Sequence, residues 1–175
     1  TLYLFGAGHV SVNVYKVARM AGFDVVVVDD RERYANRERF PEARDIYADD
    51  FEQSLAQLSP NENSYLVIVT RGHRDDMRVL KWAVETPARY IGMIGSRRKV
   101  LTTYKELERL GAPHEKFEDP RLHAPVGLDL GALTPEEIAV AIVAEMIAVR
   151  RHSPAALAQM SYSQEAARRA ADALS

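Results

Sequence analysis

The sequence predicts an α/β fold built on a doubly wound, mostly parallel sheet. Short apolar runs alternate with segments of helical periodicity over the first 150 residues. Several of these runs are rich in β-branched residues with no polar alternation, which is typical of parallel strands buried on both faces. The unusual polar motifs each follow such a run, where the carboxyl ends of parallel strands form a ligand crevice.

Each element is predicted from its residue pattern. Strands are predicted over the apolar runs 2–5, 25–28, 45–48, 65–69, 90–94 and near Leu122, the run at 45–48 as an edge strand. Apolar residues at three- and four-residue spacing predict helices over 9–21, 49–58, 75–84 and 96–110. The polar segment 29–44 predicts a long loop or an irregular helix.

The last predicted helix runs from Thr134 to about Arg150 and is apolar on nearly every side. Thr134 is its expected N-cap, Pro135 its first residue, and Glu137 completes a capping box. Such a helix is buried either in the core or in an interface between protomers, so a homodimer is one interpretation. The predicted organisation is one domain over residues 1–152 and an Ala-rich helical tail over 153–175.

Composition excludes several classes of function. The 175 residues are 47% hydrophobic and 27% charged, as expected of an ordered globular protein. A net charge of -2 argues against nucleic-acid binding. The sequence contains no cysteine, which excludes disulfides, thiolate metal sites and a cysteine nucleophile in these residues. The apolar runs are too short to span a bilayer, and no signal peptide precedes the first strand, so a cytoplasmic location is expected.

A glycine-rich turn follows the first predicted strand and opens the first helix. Such a turn lets a phosphate approach the backbone and the helix amide groups. Asp29 lies 21 residues after Gly8, where a carboxylate meets a ribose hydroxyl, and this favours NAD. Arg31 leaves NADP open. The predicted nucleotide contacts here are Gly6, Ala7, Gly8, His9, Asp29 and Arg31.

Three later motifs also follow predicted strands. In residues 70–76 we expect Thr70, Gly72 and His73 to contact a ligand, His73 being the candidate acid–base residue. Asp75 or Asp76 either caps the next helix or orients His73. In the third motif, residues 95–99, the cations Arg97, Arg98 and Lys99 lie in the first turn of the predicted helix. They oppose the helix dipole, so an anion is expected there. That third motif contributes Gly95, Ser96, Arg97 and Arg98, and a fourth contributes His123. A metal site formed by His9, His73, His123 and Asp75 is considered but not expected.

These stretches together resemble the C-terminal Rossmann domain of the XdhC/CoxI family, accessory proteins of molybdenum hydroxylases. The resemblance covers the chain from Leu2 to about Arg150. It rests on the segments GAGHVS (residues 6–11), VDDR (28–31), RFP (39–41), TRGHRDD (70–76), YIGMIGSRRK (90–99) and HAPVGLDLGALTPEEIAVAIVAEM (123–146).

The resemblance implies a Rossmann-like fold and a maturation factor that binds the molybdenum cofactor and assists its sulfuration and insertion. It also implies a molybdenum hydroxylase of the xanthine or CO dehydrogenase type as partner, with a cysteine desulfurase as a further one. Family members usually carry an N-terminal domain with a cysteine-containing motif. The given residues contain no such motif and no initiator Met, so we expect them to be a fragment, a processed chain or a stand-alone variant.

Two other functions stay open at this point. One is an NAD(P)-dependent oxidoreductase that uses His73, although the sequence contains no separate substrate domain and no Tyr-x-x-x-Lys pair. The other is a module that senses a nucleotide and reports through a partner. The expected function is that of a non-catalytic accessory protein, with NAD or a related dinucleotide, or the molybdenum cofactor, as ligand.

Overall fold

The computed structural model describes residues 1–152. Within them, six parallel strands form one sheet in the order β3-β2-β1-β4-β5-β6. The strands are β1 (Leu2–Phe5), β2 (Val25–Val28), β3 (Asp45–Tyr47), β4 (Tyr65–Ile68), β5 (Tyr90–Met93) and β6 (Leu122–His123). The α-helices are α1 (His9–Met20), α2 (Phe51–Gln57), α3 (His73–Ala83), α4 (Arg97–Arg109) and α5 (Pro135–Arg150).

The predicted fold class is confirmed, and the differences concern element ends. The strand near Leu122 and the edge strand β3 are both present. Helix α3 begins at His73, two residues earlier than predicted, because Gly72 serves as its N-cap. The structure thus corrects the expectation that Asp75 or Asp76 caps this helix. The predicted tail at 153–175 lies outside the described residues.

Helices cover both faces of the sheet. Side chains of α1 and α5 pack on one face together with Leu2 and Leu4 of the central strand. Side chains of α2, α3 and α4 pack on the other face together with Tyr3 and Phe5. Both sets of strand side chains are therefore buried, which explains why the strands show no polar alternation. None of the helices within residues 1–152 combines the length and apolar character of a membrane span.

The apolar character of α5 is accounted for largely by core packing. This helix lies against α1 and the sheet, and its residues Ile142, Val143 and Met146 are buried in that core. Val140 is an exposed apolar residue on the outer side, with an exposed fraction of 49%. Thr134 and Glu137 form the predicted capping box. The homodimer stays a prediction.

The two glycines of the turn after β1 have different roles. Gly6 adopts a φ of +105°, and a Cβ there would lie 2.4 Å from the carbonyl oxygen of Val69. Gly8 has a φ of −77°, which any residue can adopt. Apart from Gly8 and its two chain neighbours, no atom of the described residues lies within 4 Å of a Cβ added at Gly8. Gly6 therefore permits close packing of the turn on β4, whereas Gly8 borders open space.

We expect Gly6→Ala to lower the free energy of unfolding by about 2–4 kcal/mol, because it combines a strained backbone with overpacking. Gly8→Ala is the matched control and should stay within about 1 kcal/mol of wild type. Urea denaturation of the three proteins measures both values. Equal stability of the two variants would contradict the assignment of the structural role to Gly6.

Candidate functional site

The strand order places a crevice at the carboxyl ends of β1 and β4. From this central pair the chain proceeds outward in opposite directions, to β2 and β3 on one side and to β5 and β6 on the other. Helix α1 follows β1 onto one face, and α3 follows β4 onto the other face. The two crossovers diverge here, and ligands of doubly wound sheets bind at such a point. The glycine turn and residues 70–73 both border it.

The amino end of α1 offers unoccupied hydrogen-bond donors. Gly8 is the N-cap, and within residues 1–152 no side chain caps this helix. The first amide groups of a helix have no acceptor in the helix itself, so they are available to a ligand. Helix α3 likewise follows a glycine, Gly72, and has no side-chain cap, whereas side chains of Asp50, Ser96 and Thr134 cap α2, α4 and α5. His9 is exposed at the start of α1, and this end of the helix can accept an anion.

Asp29 is buried, and its carboxylate is occupied by the protein itself. It accepts a hydrogen bond of 2.7 Å from the amide of Ala7. Arg31 donates to both carboxylate oxygens, through Nε at 2.7 Å and Nη2 at 2.8 Å, and also through its amide. Burial alone would raise the pKa of Asp29, but the hydrogen bonds from Arg31 and Ala7 outweigh it and lower the pKa. The carboxylate thus fixes the turn, and its contact with a ribose stays a prediction.

Arg39 holds the other side of the same turn. Its Nη2 donates to the carbonyl oxygen of Ala7 at 3.0 Å, so both backbone groups of Ala7 are bonded. The guanidinium groups of Arg31 and Arg39 lie 4.1 and 5.2 Å from the ring centre of Tyr34. Sequence reasoning noted the RFP segment but did not predict this contact, since no spacing rule relates residue 39 to the turn.

A buried acid links the loops that follow β4 and β5. Asp76 is fully buried; Thr70 donates to its Oδ1 at 2.6 Å, and Nζ of Lys99 lies 2.5 Å from its Oδ2. A Cβ at Gly95 would lie 2.9 Å from Cδ of Lys99, so this glycine makes room for the lysine stem. Asp76 therefore joins the two loops. It does not orient His73, which was one of the two roles that the sequence left open for it.

His73 also contacts α4. Its Nε2 lies 2.9 Å from Oε2 of Glu106, and its Nδ1 lies 3.3 Å from Oγ1 of Thr103. Both ring nitrogens are thus engaged, and proton transfer to a ligand would require one of these contacts to break. The predicted acid–base role of His73 stays a prediction. Glu106 and Thr103 were not identified from the sequence, because they lie about 30 residues away on another helix.

The first turn of α4 needs less external negative charge than the sequence suggested. Ser96 caps the helix as predicted, accepting from the amide of Lys99 at 3.2 Å. Lys99 is paired with Asp76, so one of the three cations is neutralised within the protein. Arg97 is half-buried and Arg98 is exposed. That Arg97 and Arg98 contact an anion stays a prediction.

His123 belongs to a buried polar cluster beneath α5. Its Nδ1 lies 3.2 Å from Oε1 of Glu145, and its ring stacks on Tyr90 at 4.5 Å. Glu145 also accepts from the hydroxyl of Tyr90 at 2.6 Å and from the amide of Gly127 at 2.9 Å. Burial would raise the pKa of Glu145, but its contacts with His123, Tyr90 and Gly127 outweigh it and lower the pKa. The available signal in the sequence was Glu145 itself, an acid that follows an apolar run in the middle of α5.

The histidines are not arranged around a metal. Within the described part of the chain, no group of three or more His, Asp or Glu side chains is placed to hold a metal ion. His9 is exposed on α1, His73 contacts α4, and His123 is buried beneath α5.

Residues 2–146 match the family model described as the XdhC Rossmann domain. The chain belongs to this family. It is 34% identical over 157 residues to the uncharacterized protein YqeB of Escherichia coli, covering 89% of this chain and 28% of YqeB. It is 33% identical over 150 residues to a Bacillus subtilis protein named as a probable xanthine dehydrogenase subunit, covering 86% of this chain and 43% of that one.

A solved structure has the same fold. It is titled a xanthine dehydrogenase from Bacillus halodurans and superposes with a TM-score of 0.77 at 30% identity, covering 87% of this chain and 43% of that chain. The XdhC-domain chain thus spans less than half the length of each of these three proteins.

Asp29→Asn should lower stability in a pH-dependent way. A carboxyl with a lowered folded-state pKa stabilises above its unfolded pKa, about 3.9, and this contribution is lost as the pH falls through the folded-state value. We expect the free energy of unfolding to fall by about 1–3 kcal/mol at pH 7, and the difference from wild type to become smaller below about pH 4. Urea denaturation across pH measures it. Asp30→Asn, at the exposed neighbour, should cost under about 0.5 kcal/mol, and equal losses in the two variants would contradict the role of Asp29.

Proposed function

We propose that the crevice at the carboxyl ends of β1 and β4 binds a phosphate-bearing ligand, either a dinucleotide or the molybdenum cofactor. We further propose that this binding serves the maturation of a molybdenum hydroxylase. The observation that carries the proposal is the uncapped amino end of α1 beside Gly8, where an added Cβ would meet open space among the described residues.

The rigidity of the turn supports binding. Asp29 holds the amide of Ala7, and Arg39 holds its carbonyl oxygen, so the backbone is ordered before a ligand arrives. Preorganisation lowers the entropic cost of binding. The amide groups of the first turn of α1 and the positive end of its dipole would then face the phosphate, and Gly8 would let it approach.

The maturation role is supported by membership of the XdhC family and by the Bacillus subtilis relative, whose name is that of a probable xanthine dehydrogenase component. The proposed partner is a molybdenum hydroxylase of the xanthine or CO dehydrogenase type. The residues of this chain contain no cysteine. We therefore propose that these residues hold the cofactor and that another protein, such as a cysteine desulfurase, transfers the sulfur.

The ligand class is tested by calorimetric titration of the purified chain with NAD, NADP, FAD, CTP and isolated molybdenum cofactor. We expect the molybdenum cofactor to bind tightly and NAD weakly. Tight NAD binding without a response to the molybdenum cofactor would contradict the maturation role and favour a nucleotide sensor or a dehydrogenase. The engagement of both His73 nitrogens by α4 disfavours the dehydrogenase.

Gly8→Val should weaken binding of the phosphate-bearing ligand by about tenfold or more, because the side chain fills the space that the phosphate would enter. The fold should survive, since the backbone of Gly8 is extended and the site is open. Calorimetry gives the affinity, and circular dichroism checks the fold. Gly8→Ala is the graded control, with a smaller loss. Unchanged affinity in a folded Gly8→Val protein would remove the turn from the binding site.

A further inference from the structure

An exposed ion pair joins the residues that follow β2 and β4. Nη2 of Arg71 lies 3.5 Å from Oδ2 of Asp30. Asp30 follows β2, Arg71 follows β4, and β1 lies between these two strands in the sheet. Neither residue was predicted from the sequence to be part of the site.

The register of the sheet shows where this pair lies. Phe5, the last residue of β1, is opposite Val28 on one side and Ile68 on the other. At a spacing of about 4.8 Å between neighbouring strands, the ends of β2 and β4 are roughly 10 Å apart. The pair therefore has to cross the end of β1, at the level where the glycine turn leads into α1.

Two neighbouring acids hold their arginines in different ways. Asp29 is 3% exposed in its side chain and receives two short bonds from Arg31. The side chains of Asp30 and Arg71 are 32% and 60% exposed, and their contact of 3.5 Å is long. A pair of this kind contributes little to stability, because water screens it. Arg71 can therefore readily exchange Asp30 for a better partner.

We propose that Arg71 is a phosphate-binding residue of the crevice, and that Asp30 is an internal anion which the ligand displaces from it. This inference rests on the proposed function. A phosphate at the amino end of α1 would lie at the end of β1, within the region that the pair crosses. A guanidinium binds phosphate through two parallel hydrogen bonds, which is better than its present contact with Asp30.

The pair would also select among ligands by charge. An incoming group has to replace a carboxylate, so a diphosphate competes well whereas an uncharged nucleoside does not. The crevice is therefore expected to favour ligands that carry phosphate groups over uncharged ligands. Removing Asp30 should relax this selection, because Arg71 is then free before the ligand arrives.

The test is a double-mutant cycle of wild type, Asp30→Asn, Arg71→Gln and the double variant. Inorganic pyrophosphate and NAD are the probes, titrated calorimetrically at low and moderate salt. Asp30→Asn should tighten pyrophosphate binding by about two- to fivefold. Arg71→Gln should weaken it by about tenfold and reduce its salt dependence. Asp30 also lies 3.7 Å from Nε of Arg31, but Asp29 holds that guanidinium at 2.7 Å. The double variant should therefore match Arg71→Gln, because Asp30 acts on the ligand through Arg71.

Two controls separate this effect from a general change of net charge. Glu62→Gln and Lys81→Gln make the same charge changes at exposed positions. Glu62 precedes β4 and Lys81 lies in the last turn of α3, so both lie near the amino ends of the strands, away from the crevice. Neither control should alter pyrophosphate affinity by more than about twofold. If Asp30 acted through its field alone, the double variant would bind more tightly than Arg71→Gln, which would overturn the inference.

The outcomes also distinguish this inference from the proposed function. If wild type binds the probes and Asp30→Asn binds them no better, or Arg71→Gln binds them equally well, the inference is wrong and the crevice remains a phosphate site. If wild type binds neither probe but Asp30→Asn gains pyrophosphate binding that the double variant loses, the displacement of Asp30 holds and dinucleotide binding is wrong. If none of the four proteins binds either probe, the inference is wrong, and the titration with isolated molybdenum cofactor then decides the proposed function.

Discussion

The hydrogen bond from the amide of Ala7 to the buried carboxylate of Asp29 is the interaction on which the site depends. It ties the turn after β1 to the end of β2, while Gly6 allows the same turn to pack on Val69 beside β4. The turn is thereby held against both neighbouring strands. Its direction places the amino end of α1 at the crevice, with Gly8 facing open space among the described residues.

The charged residues of the crevice divide into buried pairs that maintain its shape and an exposed pair suited to exchange. Asp29 with Arg31, and Asp76 with Lys99, have a buried carboxylate and short contacts. Asp76 and the contact between His73 and Glu106 also join α3 to α4, so the loops after β4 and β5 are held together. The pair of Asp30 and Arg71 is exposed and long, which suits displacement by a ligand.

The packing of α5 on β5 and β6 is stabilised by a polar cluster within an otherwise apolar layer. Glu145 of α5 receives hydrogen bonds from Tyr90 and Gly127 and lies against His123. A buried carboxylate without these partners would cost several kcal/mol, on the order of 3–5 kcal/mol for a broken pair. The cluster therefore fixes how α5 docks on β5 and β6, and the buried His123 serves this docking.

The sequence by itself determined the elements and showed that the polar motifs follow strands, whereas the strand order that forms the crevice came from the tertiary structure. The buried strands, the Ser96 cap, the capping box at Thr134 and the glycine turn are local patterns, because each depends on residues close together in the sequence. The cap of α3 was the exception, since Gly72 takes the place expected for Asp75 or Asp76. The partners of the site residues were decided only by the tertiary structure. The sequence placed Asp29 directly after β2 but did not show that Ala7 and Arg31 occupy its carboxylate. The contacts of Arg39 with Ala7, His73 with Glu106 and His123 with Glu145 join residues more than 20 positions apart. Such contacts follow from strand order and helix packing, which no local pattern encodes.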